Sequence, residues 1–112
     1  VNKKRLCEIV DKYKYRLVEG TLVDERFGEP HYCIMGACLH EAGIDAALRV
    51  HNGNGGNRIW DAFQEELIAL GFYSAEEVTE LISVNDETQY RDEYGTEVVP
   101  THERLHDFLA CE

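Results

Sequence analysis

From Leu6 to Leu17, apolar side chains recur at intervals of three and four, with Leu6, Ile9, Val10, Tyr13 and Leu17 on one stripe and Lys and Arg between them. That period predicts a helix over residues 2–16 with one buried face and a basic outer face. The period fails from Leu17 to Val23, which reads as extended, and Asp24 to Pro30 is a charged loop punctuated by Gly28 and Pro30. One short strand or hairpin has room at residues 17–30.

Tyr32 to Leu39 is apolar nearly all round, so this segment is predicted to be the central buried helix, ended by Gly43 in a left-handed cap with Ile44 as its apolar contact. Gly36, Ala37 and Cys38 are small enough for a neighbouring backbone to approach. Gly36 costs about 1 kcal/mol of helix propensity relative to Ala, which close packing must repay. A further helix places Ile59, Trp60, Phe63, Leu67 and Leu70 inward, with Asn57 as its N-cap and Gly71-Phe72 as its C-cap. Ser74-Ala75-Glu76-Glu77 is a capping box opening a helix with Val78, Leu81 and Ile82 inward. Thr101 is the expected cap of the last helix, whose Leu105, Phe108 and Leu109 face the core. Between them, Asn85 to Val99 is the longest irregular connection. The expectation is a mainly α fold, a single acidic helical domain over residues 1–112 with about five helices.

Composition strengthens that picture, because 112 residues suit one core and 44% hydrophobic residues offset the disordering tendency of a net charge of −11. Charge is unevenly placed. Residues 1–16 hold six Lys/Arg against Glu8 and Asp11, a net +4, which leaves −15 on residues 17–112. Such a polyanion repels nucleic acid and anionic membrane and suits a basic protein surface as partner. A plainer reading is that the acidity keeps a small protein soluble.

No run of about 20 apolar residues is present to span a bilayer, and Val1 to Arg5 leads into an amphipathic segment rather than a signal-peptide run. A cytoplasmic location is therefore expected. With no mark of export, Cys7, Cys33, Cys38 and Cys111 are read as four reduced thiols.

Val18-Glu19-Gly20-Thr21-Leu22, then Tyr32-Cys33-Ile34-Met35-Gly36-Ala37-Cys38-Leu39, then Ser83-Val84-Asn85-Asp86 succeed one another in an order that resembles a family of small phage and actinobacterial proteins. That family has a Trp-Cys-x-x-Gly-Ala-Leu element and a later Trp-Asn-Asp element before a final helix. This chain has Tyr32 and Val84 at the two Trp positions and Cys38 at the Leu position. The resemblance implies a phage or mobile-element origin, with the host cytoplasm as location, and implies no activity.

Two functional classes are compatible with these residues. Cys33 in the first turn of a helix is a candidate nucleophile, since the helix dipole can lower a thiol pKa. It needs a base and an orienting group, and Asp86 or Asn85 with one of His31, His40, His51, His102 or His106 are the candidates. Against this, an unpaired Cys in a tight helix is commonly a small core hydrophobe. Adjacent Asx residues commonly do backbone work, one closing a helix and Asp86 capping the next, with Gln89 three residues on.

The other class is a non-enzymatic binding protein that engages its partner through Asn85, Asp86, Tyr90, Asp92, Glu93 and Tyr94 in the acidic, tyrosine-bearing connection. This class is favoured, as an accessory factor without cofactor. His102 and His106 with Cys111, or Cys33, Cys38 and His40, lack the paired CxxC spacing of a zinc site, so no metal is expected. His51 to Asn57 is rich in Gly and Asn before a helix but lacks the Lys of a phosphate loop, and reads as a turn.

Overall fold

The computed structural model describes residues 2–44, 56–87, 92–96 and 99–111. The elements run α1 (Lys3–Tyr13), β1 (Val23–Arg26), β2 (Glu29–Tyr32), α2 (Ile34–Glu41), α3 (Gly56–Ala69), α4 (Ala75–Asn85) and α5 (Thr101–Leu109). Among the described residues the fold is mainly α, with five helices and one hairpin, which is the expected architecture. Residues 51–55, read from the sequence as a turn, lie outside the described residues, as do Gln89 and Tyr90.

α1 begins where Asn2 Oδ1 accepts from the Arg5 N–H at 3.1 Å, and its Leu6, Ile9, Val10 and Tyr13 are buried as their spacing requires. α2 is buried along six consecutive residues, Ile34 to Leu39, and forms the centre of the core. It ends in a Schellman arrangement: Gly43 at φ +81° donates to His40 O at 2.9 Å and Ile44 to Leu39 O at 3.0 Å. The same device closes α3, where Gly71 has φ +93° and Phe72 N donates to Leu67 O at 3.0 Å. Gly36 repays its propensity cost by proximity, since a Cβ there would stand 1.9 Å from the backbone oxygen of Leu22. Only glycine lets the Leu22 backbone lie this close to α2.

The charged segment 24–30 is a paired hairpin rather than a loop. β1 and β2 are antiparallel with Val23 opposite Tyr32 and Arg26 opposite Glu29, leaving Phe27 and Gly28 as a two-residue turn with φ of +54° and +77°. Both signs are those of a type I′ turn, the geometry that matches strand twist and usually takes Asn-Gly. A phenylalanine in the left-handed region costs roughly 1–2 kcal/mol. The hairpin's base is fixed by Tyr32, whose N–H donates to Arg16 O at 2.9 Å and whose carbonyl accepts from Val18 N at 2.9 Å.

Four local expectations are corrected. α3 starts at Gly56, so Asn57 lies inside its first turn instead of capping it. Pro100 occupies the N-cap of α5 without a side-chain bond, and the Thr101 hydroxyl instead accepts from Arg104 at 3.2 Å. Phe108 is 41% exposed, because the inward stripe of α5 is Thr101, Arg104, Leu105 and Leu109. The expectation of four reduced thiols fails: Cys7 and Cys111 are joined in a disulfide that ties α1 to the segment after α5. Cys33 and Cys38 are free and buried.

Candidate functional site

The residues with chemical potential separate into two groups. The first is an internal polar node. Cys33 is the N-cap of α2, one residue before the helix, and its Sγ accepts from the Gly36 N–H at 3.4 Å. The thiol is 1% exposed. Burial pushes its pKa up to about 11, and the charge of Asp86 adds to the rise while the helix amides offset only part of it. The dipole argument from sequence is thus outweighed by desolvation.

Asn85, the last residue of α4, is wholly buried and uses its amide to join three segments. Its Oδ1 accepts from Ile34 N at 2.9 Å, while Nδ2 donates to Val18 O at 2.8 Å and to Asp86 Oδ1 at 2.8 Å. Asp86 Oδ1 also accepts from the Gly20 N–H at 3.0 Å. The pair does backbone work, in keeping with the plainer sequence reading, but across 51 to 67 residues of chain rather than within its own turn. These bonds hold the N-terminus of α2 and the 18–20 segment against α4.

Arg104 completes the node and escaped the sequence reading. It is 5% exposed. Its Nη2 donates to Asn85 O at 3.0 Å and to Glu19 Oε1 at 3.1 Å, and Nε donates to Val84 O at 3.3 Å. Nη1 donates to Val99 O. A planar fork of five donors is what such a set of carbonyls and one carboxylate requires. Its position on the apolar stripe between Thr101 and Leu105 is the signal that was available in sequence.

No histidine joins this node in the described bonds. His40 stacks on Tyr32 with ring centroids 5.0 Å apart, His106 Nε2 lies 2.7 Å from Asp11 Oδ1, and His31 Nδ1 lies 3.1 Å from Glu29 O. His102 and His106 face each other at 6.3 Å between centroids. Among the described residues no group of three His, Cys, Asp or Glu is placed to hold a metal ion. Three grooves of about 460, 320 and 430 Å³ open on the surface, and none of the three is lined by Cys33, Asn85 or Asp86.

The basic face of α1 is partly consumed within the molecule. Glu41 on α2 is paired with Lys12 and Arg5, the latter at 3.6 Å, and accepts from Tyr13 Oη at 2.8 Å. The hydrogen bond from Lys12 chiefly holds the Glu41 carboxyl below its ordinary range. Burial, and then the bond to Glu41, raise Tyr13 to about 12.

The second group is an exposed loop. Asp92 Oδ1 accepts from both Tyr94 N and Thr96 N at 2.9 Å, and Asp92 N donates to Thr96 O at 2.9 Å. This Asx-type turn leaves Tyr94 84% exposed beside the exposed Glu93. Asp92, Glu93 and Tyr94 are therefore brought together, while Asn85 and Asp86 are drawn into the node, and Tyr90 lies outside the described residues.

Comparison of the chain with protein-family models, with curated proteins and with solved structures finds no match. Among the described residues, no helix is long and apolar enough to cross a membrane.

Proposed function

We propose that the chain is a non-enzymatic protein-binding factor, of phage or mobile-element type, that engages a basic protein surface. The observation that carries this reading is the division of its candidate residues. Cys33, Asn85 and Asp86 are spent on buried structure, whereas Asp92 is spent on holding Glu93 and Tyr94 outward. A preorganised tyrosine offers contact area at little entropic cost, and surrounding acids steer a cationic partner.

The polyanionic body supports a protein partner over nucleic acid or membrane, since neither offers cations to it. A cytoplasmic site of action belongs to this proposal, although a disulfide such as Cys7–Cys111 is rare in that compartment. The reading of a thiol-dependent enzyme loses its support in the raised pKa of Cys33 and the backbone duties of Asn85 and Asp86.

The test is association kinetics with the partner recovered from the native host and purified. The on-rate of wild type is expected to fall at least about tenfold between 0.05 and 0.5 M salt, as screening shortens the steering field. Glu93→Lys should slow association more than Glu8→Lys, because Glu8 already faces Arg5 at 3.5 Å. Asp92 is left intact, since its carboxylate builds the loop. Equal rates for both variants with no salt dependence would remove the proposal.

A further inference from the structure

Phe27 is 99% exposed at the tip of the hairpin and stands in a left-handed conformation at φ +54°. The ring is fully in water, and a bulky side chain stands where Asn or Gly is the usual occupant of the turn. Strained residues of this kind gather at binding and switch sites. The hairpin beneath it is anchored by the Tyr32 backbone bonds to residues 16 and 18, by stacking of Tyr32 on His40 and by an edge contact of Tyr32 with Tyr13 at 5.6 Å. The two strands that carry the turn hold Asp24, Glu25 and Glu29 against one Arg, Arg26, whose Nε lies 2.8 Å from Asp24 Oδ2.

We propose that the β1–β2 hairpin is a docking finger, with Phe27 as the anchor that enters an apolar pocket rimmed by Lys or Arg on a folded protein partner. This rests on the reading of the chain as a binder of basic proteins and adds a second contact surface to it. Charge complementarity selects the occupant. The acids around the tip repel anionic headgroups, and a net charge of −11 opposes docking into a second copy of the chain. A buried ring surrounded by complementary charges is the ordinary form of an interface hot spot.

The experiment places a photo-crosslinking phenylalanine analogue at position 27 of the full chain in its native host, with position 73 as control, since Tyr73 is 78% exposed in the connection between α3 and α4. Crosslinked peptides locate the pocket, and the purified partner is then titrated with wild type, Phe27→Leu and Phe27→Asn. The expected result is a crosslink at position 27 to a pocket with a Lys or Arg rim and at least about tenfold weaker binding for Phe27→Asn. Phe27→Leu should stay within about threefold of wild type. Phe27→Asn should also melt about 4 °C higher, because the turn is relieved.

Unchanged affinity for Phe27→Asn, crosslinks to the chain itself, or sedimentation of wild type with phosphatidylserine vesicles would overturn the finger. A lower melting temperature for Phe27→Asn would do so as well, by showing the ring to be structural. If Phe27→Asn binds normally while Glu93→Lys slows association, the finger falls and the binding function stands. If wild type neither crosslinks to nor binds any protein, both fall.

Discussion

Arg104→Ala is expected to lower the stability of the chain by about 3–5 kcal/mol in urea denaturation, the range for breaking a buried charged pair from one side. The guanidinium reaches the carbonyls of Val84 and Asn85, the carbonyl of Val99, the Thr101 hydroxyl and the Glu19 carboxylate. These come from α4, α5, the segment before α5 and the segment after α1. Removing the donor withdraws charge-assisted bonds from several buried acceptors at once, and leaves Glu19, 17% exposed, beside the lost charge. Arg104→Lys should recover little of the loss, because one ammonium cannot span acceptors arranged for a fork. A loss below about 1 kcal/mol would show that water replaces the guanidinium and that the node is peripheral.

Reduction of the Cys7–Cys111 bond should cost a comparable amount, about 2–5 kcal/mol. The two cysteines are 104 residues apart, so the bond closes nearly the whole chain and removes a large share of the entropy of the unfolded ensemble. Chain-entropy reasoning gives about 4.7 kcal/mol for a loop of roughly that length. The native contacts it supports are few by comparison: α5 is held also by Leu105 and Leu109 in the core and by the His106–Asp11 contact. The fold should therefore persist without the bond, at lower stability. Denaturation of wild type with and without dithiothreitol, beside Cys7→Ser/Cys111→Ser, measures this. The double variant should match reduced wild type and be indifferent to the reductant. No shift on reduction would mean that the ends are held as firmly without it.

The helices were legible because their signals are local. The stripe of α1, the Gly43 and Gly71 terminators and the Ser74 cap all act within a few residues of themselves. A hairpin has room in segment 17–30, but its strands and turn within 24–30 are not legible, for the opposite reason. That stretch lacks alternating apolar positions, and its turn carries phenylalanine where the hairpin signal would be Asn-Gly. The disulfide was equally hidden, since closeness of Cys7 and Cys111 comes from the packing of α1 against α5 and not from spacing. At the candidate site the residues were found but their work was not. Asn85 and Asp86 read as local caps, and only tertiary structure aims them at Ile34, Val18 and Gly20. Arg104 was overlooked because an arginine on a short charged helix reads as solvated until the stripe it shares with Leu105 and Leu109 is traced.

If the residues with catalytic potential are structural and the chain acts by binding, the Cys33 thiol must be inert in the native protein. The rate at which it is alkylated, measured against pH with peptide mapping, tests this most directly. Burial and the neighbouring carboxylate hold that pKa at about 11, and reagent reaches the 1% exposed sulfur only when the fold opens. Labelling should be thousands of times slower than for a free thiol, on the order of the opening equilibrium, with no plateau below about pH 9 and immediate reaction in denaturant. Rapid stoichiometric labelling of Cys33 at about pH 6–7 would contradict it, marking an activated thiolate and returning the chain to the enzymes.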